Sequence, residues 1–328
     1  MRKIRNNLYQ ITLDLPFPFS NPSVSIYYID GERPALIDSG FSGGETIRGI
    51  NSQLNEIGRS LEDLSVIINT HEHIEHFGGN REIKEMSAAS ITASSKAAPM
   101  IEKYHTYING VRNRVHTFDP EMKDFMNWYL DFNSTVDESP VDRVVDDGDV
   151  IDLGKTKLRV IETPGHAYGH VCLYDEERQI LFTGDHIIGT GTTFVGFGWR
   201  ELATKGITDI LYSDDEHDNL SSYLDSLKRL SSLDLKLLLP GHGLPIETPY
   251  EKIEGDWEKK LARERMLLDL LSEEELSLDE IISRAYGKKT RPHLLRGSVL
   301  GYLARLNRAG KITVRIEENT LFVSLKRG

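Results

Sequence analysis

The stretch Ser65-Val66-Ile67-Ile68-Asn69-Thr70-His71-Glu72-His73-Ile74-Glu75-His76-Phe77-Gly78-Gly79 decides how the rest of the chain is read. It opens on a β-branched apolar run too short for a helix, which predicts a buried strand. His71, His73 and His76, with Glu72 and Glu75, follow where that strand gives way to its loop. Gly78-Gly79 interrupt the path before a predicted helix over 80–86. Strand ends carry the chemistry of open α/β sheets, because the backbone is held there while the loop is free to vary. A His-rich tract at this spacing points to metal binding rather than to a merely polar loop.

Working outward, the same arrangement recurs. Residues 23–29 and 35–37 predict paired strands around Asp30-Gly31, ending at Asp38-Ser39-Gly40. A helix over 45–57 precedes the histidine strand, and 90–93 predicts another strand. Downstream, a strand over 157–162 leads to Thr163-Pro164-Gly165-His166. A hairpin over 170–174 and 179–182 ends in Thr183-Gly184-Asp185-His186. An amphipathic helix over 219–230 and an apolar run over 235–239 end in Pro240-Gly241-His242-Gly243. Alternating elements of this kind indicate a layered α/β fold. Any one of these histidines alone reads as structural, but five histidines and an aspartate at successive strand ends do not read as packing.

The 328 residues are 39% hydrophobic and 27% charged, an ordinary globular balance with material for one large domain and a small one. No run of eighteen apolar residues occurs, so no membrane-spanning helix is expected. Met1-Arg2-Lys3-Ile4-Arg5 is basic, but no apolar segment or cleavage site follows, so no signal peptide is read. Cys172, the single cysteine, excludes an internal disulfide and points to a reducing cytoplasm. Its apolar neighbours predict a packed thiol rather than a nucleophile. The net charge of −12 is uneven: residues 255–328 hold 15 Lys/Arg against 11 Asp/Glu, leaving 24 against 40 before them. Two modules with different surroundings are implied, a catalytic one over 1–250 and a second over 251–328.

Between about 96 and 140, Met100, Tyr104, Tyr107, Phe118, Met122, Phe125, Met126, Tyr129 and Phe132 recur at helical spacing, with His105 and His116 among them. A lid over an apolar pocket and a plain helical layer on the sheet both account for that stripe. The segment Gly189-Thr190-Gly191-Thr192-Thr193 and Gly196-Phe197-Gly198 reads as a flexible loop without phosphate-cradle spacing. In the tail, Trp257, Leu261, Leu268 and Leu271 lie on one face of a long helix. Ser277 and Glu280 form a capping box for a helix over 278–286. A third helix and a hairpin over 312–316 and 321–325 complete a winged-helix-like order. Nine Lys/Arg and no Asp/Glu fall within 284–315, which makes Lys288, Lys289, Arg291, Arg296 and Arg305 candidate nucleic-acid contacts. Packing of that tail against its own core or against a second subunit of a homodimer is the simpler reading, since the acidic catalytic module would repel a polyanion.

The ordered motifs His71-x-His73-x-Glu75-His76, Thr163-Pro164-Gly165-His166, Thr183-Gly184-Asp185 and Pro240-Gly241-His242, preceded by Leu36-Ile37-Asp38-Ser39-Gly40, resemble those of the metallo-β-lactamase superfamily. With the winged-helix tail, Gly191-Thr192-Thr193 and the segment 305–312, the chain is similar to the beta-lactamase-like protein 2 branch. The resemblance implies an αββα sandwich, with the site along one edge and a C-terminal winged-helix domain. It implies one metal on His71, His73 and His166, and a second on Glu75, His76 and His242, with Asp185 bridging and Asp38 structural beside the site. Two zinc ions are implied, with iron or manganese as substitutes. They would lower the pKa of bound water to about 7 and polarise a scissile bond.

Glu75 departs from the family's aspartate and leaves open whether the second metal is held. Glu75 and Asp185 are the carboxylates to which catalysis is assigned. His170 and His186 are expected to support ligands or touch substrate, Glu72 to be solvated or in support, and His217 to be a surface residue. The implied activity is hydrolysis of a small ester or thioester, as in glyoxalase II-like members. Alternatives are a single-strand endoribonuclease using the same metals and the basic tail, and a mononuclear iron oxygenase of persulfide-dioxygenase type.

Overall fold

Short runs that are apolar at every position need cover on both faces, and the chain provides it by stacking two sheets between helices. A computed structural model describes residues 1–15, 22–115, 127, 130–196, 218–287, 292–318 and 320–326. The first sheet holds β1 (Arg2–Arg5), β2 (Leu8–Asp14), β3 (Ser23–Ile29), β4 (Ala35–Ile37), β5 (Val66–Ile68), β6 (Ser90–Ser94) and β7 (Arg143–Val145) in sequence order. Strands β1 to β4 pair antiparallel and β4 to β7 parallel. The second holds β8 (Val150–Asp152), β9 (Lys157–Glu162), β10 (Val171–Asp175), β11 (Ile180–Gly184) and β12 (Leu237–Pro240), in the order β12-β11-β10-β9-β8. Its β11 and β12 pair parallel, which sets Gly184 beside Pro240.

The two-residue period of a strand assigns each side chain to a layer. In β5, Val66 and Ile68 enter the space between the sheets, with Tyr27, Ile29, Leu173 and Leu239, while Ile67 turns outward. In β10, Val171 and Leu173 face inward, and Cys172 and Tyr174 face the opposite helical layer. Each such aliphatic side chain contributes about 1.5–3 kcal/mol by leaving water. The expected αββα sandwich is therefore present. Helices α1 (Gly44–Asn55) and α3 (Asn80–Met86) cover the first sheet, with the one-turn α2 (Ile74–Phe77) between them.

The predicted insertion contains α4 (Ala98–Glu102) and α5 (Tyr104–Val115). Tyr104 meets the edge of Phe77 at 5.1 Å and donates to Asn133 Oδ1 at 2.5 Å, and Phe132 stacks on Phe41 at 5.0 Å. The described part of the insertion is thus a helical layer over α2. His116, Phe118, Met122, Phe125, Met126 and Tyr129 lie outside the described residues, as do Phe197, Gly198 and His217.

The second sheet is covered by α6 (Asn219–Leu230), α7 (Pro249–Leu271), α8 (Leu278–Tyr286) and α9 (Pro292–Arg308). Asp218 caps α6 by accepting from Ser221 N at 2.6 Å, with Lys228 and Arg229 in its last turn to complement the dipole. The capping box predicted for α8 forms as expected, Ser277 and Glu280 bonding each other's backbone N–H. Strands β13 (Leu276–Ser277), β14 (Ile312–Glu317) and β15 (Thr320–Leu325) form a third sheet in the order β13-β15-β14. One buried cluster joins Cys172 and Leu181 of the sandwich to Tyr223, Leu224, Leu267, Leu303 and Val323. The expected boundary near 250 falls at the start of α7, where a single core serves both sides. Among the described residues, no helix is long and apolar enough to cross a membrane.

Candidate metal centre

Asp38, at the end of β4, holds a left-handed backbone, φ 62°. Its carboxylate accepts from Thr70 N at 2.7 Å, Thr70 Oγ1 at 2.9 Å and His76 Nδ1 at 2.7 Å. Thr70 Oγ1, having given its proton to Asp38, accepts from His71 Nδ1 at 3.0 Å. One buried carboxylate thereby aims two imidazoles. His166 Nδ1 donates to the Phe194 carbonyl at 2.9 Å, with Thr193 Oγ1 at 3.1 Å from the same nitrogen, and His242 Nδ1 donates to the Ser23 carbonyl at 2.6 Å. All four rings commit Nδ1 outward and turn Nε2 toward one another and toward Asp185, the usual arrangement behind metal-ligating histidines. His73 presents the other nitrogen, its Nδ1 lying 3.0 Å from His166 Nε2.

These atoms form two groups, in each of which the donor atoms lie within 4.8 Å of one another: His71, His73 and His166, then Glu75, His76, Asp185 and His242. Asp185 faces both. Its Oδ2 is 3.1 Å from His242 Nε2 and 3.6 Å from His166 Nε2, and its Oδ1 is 3.4 Å from His76 Nε2. The glutamate in the aspartate position reaches the second group despite its extra methylene. Gly241 lets Asp185 and His76 approach: a Cβ there would stand 2.5 Å from Asp185 Oδ1 and 2.8 Å from His76 Cε1.

Burial drives the His71 and His73 rings well below the ordinary imidazole range, with neighbouring histidines adding to the effect. Burial acts on His76 in the same sense, but Asp185 and Asp38 outweigh it and hold this ring well above that range. Burial would raise Asp185, yet His242 and His76 hold its carboxyl well below the carboxylate range. His71 Nε2, His76 Nε2 and Asp185 Oδ1 are buried without a hydrogen-bond partner. Each such orphan costs about 1–3 kcal/mol in a protein interior. Five imidazoles and two carboxylates, three of their atoms orphaned, are a donor set that fits divalent cations.

Other predicted residues lie around this pair. His170 bonds Thr163 Oγ1 through Nδ1 at 2.8 Å, and its Nε2 accepts from Asp185 N at 3.2 Å, so it holds the aspartate's backbone. His186 is fully buried, 4.6 Å from the Tyr223 ring and 5.7 Å from that of His170, and burial pushes its pKa down to about 3. Glu72 is 3% exposed rather than solvated, and accepts from Tyr168 N at 3.1 Å and Gly169 N at 3.3 Å, tying down the loop that carries His166. Of the two roles expected of Glu72, support rather than solvation is the one these contacts fit. Cys172 is buried, its thiol pushed up to about 12 by burial, which suits core packing. Among the nucleic-acid candidates, Arg296 pairs with Asp279, and Arg305 bonds Glu264 at 2.7 Å and also Ser221. Lys288, Lys289 and Arg291 lie outside the described residues.

The loop read as flexible is instead pinned among its described residues. Lys252 and Lys260 of α7 reach the Gly191 and Thr193 carbonyls at 2.6 and 2.7 Å.

A family model described as the metallo-beta-lactamase superfamily matches residues 21–242. The probable metallo-hydrolase YqjP of Bacillus subtilis is 24% identical over 97% of this chain and 98% of its own length. The beta-lactamase-like protein 2 homolog of Caenorhabditis elegans is 26% identical over 87% of this chain and 78% of that protein. An atrochrysone carboxyl ACP thioesterase of Aspergillus fumigatus is 24% identical over 62% of this chain, a match that spans 46% of that protein. A metallo-beta-lactamase family protein from Thermus thermophilus superposes with a TM-score of 0.76 at 21% identity, over 98% of this chain and 99% of that one, a likeness of fold.

Proposed function

The chain belongs to the metallo-beta-lactamase superfamily and is a metal-dependent hydrolase; we propose that it holds two zinc ions and cleaves a small ester or thioester. The observation that carries this reading is the pair of donor groups, each closed to within 4.8 Å. His71, His73 and His166 would hold one cation, and Glu75, His76 and His242 the other, with Asp185 between them. Iron or manganese could take the same donors. When bound, the cations supply Lewis acidity, polarising the scissile carbonyl and acidifying water.

The chain's own residues set the geometry. Asp38, Thr70, Phe194 O and Ser23 O hold the outer nitrogens of His76, His71, His166 and His242, so that these four rings would need little reorganisation to hold a cation. His73 and Glu75 are the half-buried members of the two groups and mark the side open to substrate. Glu75, the more solvent-accessible of the two carboxylates, is suited to take a proton from attacking water, while Asp185 would stand between the two cations. Phe194, whose carbonyl holds His166, and Leu244, two residues after His242, are exposed apolar residues near the two donor groups in sequence and suit an acyl group. The thioesterase relative adds support for a thioester.

The second donor group, Glu75, His76, Asp185 and His242, favours the hydrolase over the one-metal oxygenase. The endoribonuclease reading has less to draw on, because Arg296 and Arg305 are committed to internal partners. The lone buried thiol is in keeping with a reducing cytoplasm.

The test is elemental analysis of the purified protein with thiol release from short acyl thioesters, and labelled single-stranded RNA in parallel. Two zinc equivalents are expected, one in Glu75→Ala, with turnover reduced about 10²-fold or more in His71→Ala, equivalent to several kcal/mol of lost charge stabilisation. RNA cleavage abolished by His71→Ala, or oxygen uptake with one iron per chain, would replace this assignment.

A further inference from the structure

Helix α7 turns a charged face inward. Asp256, Lys260 and Glu264, one turn apart, are 0%, 3% and 7% exposed, and share this face with the buried Leu267 and Leu271. Glu264 is matched by Arg305 and Lys311, and Asp256 by Lys252 at 2.7 Å. The Lys260 ammonium is given to a backbone carbonyl, Thr193 O at 2.7 Å, and lies 5.2 Å from the centre of the Tyr223 ring. Lys252 reaches the same segment, donating to Gly191 O at 2.6 Å. Burying an ammonium is costly, and a helix that needed only an anchor could use another leucine on this face. The segment these lysines grip runs directly into Phe194, whose carbonyl holds His166 Nδ1, and Thr193 Oγ1 touches the same nitrogen.

We infer that Lys260, assisted by Lys252, is a positioning residue for His166: by gripping the Gly191–Thr193 backbone it fixes where the Phe194 carbonyl stands and so how the imidazole is aimed. This rests on the metal-centre reading above and extends it, since a helix beyond the sandwich then sets the affinity of the His71–His73–His166 group. The other donor group is linked less directly: the His242 and His76 rings take their outer bonds from Ser23 and Asp38, and the segment reaches His242 only at its backbone carbonyl, which accepts from Gly189 N at 2.7 Å.

The test titrates full-length, metal-free protein with Zn²⁺ against a chromophoric chelator, and with Co²⁺ followed by its visible absorption bands. Lys260→Met is expected to weaken one binding step about tenfold or more, the usual effect of removing an outer support. It should shift the cobalt bands of that step and leave the other step within about twofold. Thr193→Val should weaken the same step, and Lys252→Met should do so less. A folded Lys260→Met protein that binds both ions like wild type overturns the inference, as does equal weakening of both steps with a lowered melting temperature. If Lys260→Met does not fold, unaltered cobalt bands in Lys252→Met and Thr193→Val overturn it instead. Wild-type protein that takes up neither ion removes the metal-centre reading itself, and this inference with it. Two ions in wild type with no change in the variants removes only the role given to α7.

Discussion

Asp38 combines two demands that pull against each other, a left-handed backbone and a carboxylate that serves Thr70 and His76 together. Asparagine tolerates that backbone but offers one acceptor oxygen where two are in use. Asp38→Asn should therefore weaken zinc binding about 10–100-fold in a chelator titration, with a smaller loss of fold stability than Asp38→Val. Equal loss of stability in both would assign Asp38 to the fold alone. Lys260 yields a second expectation at this scale. Burial, with Arg263 adding to it, pushes its pKa down to about 7, whereas in the unfolded chain it stays charged to about pH 10. Between those limits the unfolded state binds more protons, so metal-free wild type should gain stability relative to Lys260→Met as pH rises from about 7 to about 10. Urea unfolding across that range is the measurement, and parallel curves would contradict the assignment. Residues of this kind mark where the sequence stops being informative. His71, His166, Asp185 and His242 stand out because strand ends with glycine are rare places for such side chains. Glu72 and Lys260 look like any solvated charge, and only packing takes them inside.

Strand β2 shows what escapes a reading of periodicity. Its Gln10 is 2% exposed, bonded to Ser25 Oγ at 2.8 Å and to the Gly243 carbonyl at 3.0 Å, so it supports the turn after His242 although its type predicts solvent. Helix α2 escapes for another reason, since four residues hold no repeat to detect. By contrast β9, α6 and α8 follow the bounds expected of them, because a strand of mixed apolar and charged residues ahead of Thr-Pro-Gly, amphipathic spacing and a capping box are local signals. The meeting of β11 and β12 yields a prediction proper to elements. Gly241→Ala would push a methyl into Asp185 and His76 where the two parallel strands end. It should lower stability by about 1–3 kcal/mol in urea and abolish binding of at least one metal equivalent. A variant that keeps both ions would show the strand ends able to part.

At the scale of the whole molecule, one buried cluster runs from Cys172 through Tyr223 and Leu267 to Val323, so the sandwich and the C-terminal elements share an apolar layer. The composition shift near residue 255 suggests two modules because charge is read from surfaces, whereas the shared apolar layer is not visible as a linear pattern. Leu303→Ala, a truncation inside that layer, should cost about 2–5 kcal/mol. It should move urea transitions followed by tryptophan fluorescence and by far-ultraviolet ellipticity together. Separate transitions for the two probes would restore the picture of independent modules.

The donors that converge in the folded protein are scattered from position 71 to position 242. A ribosome working at about 5–20 residues per second therefore releases the first three histidines roughly ten seconds or more before the last. Through that interval the nascent chain exposes an incomplete, weakly chelating cluster, and if α7 aims His166 the interval extends to Lys260. Binding of a cation by the complete donor set is then a closing event of biogenesis, which cannot precede synthesis of His242.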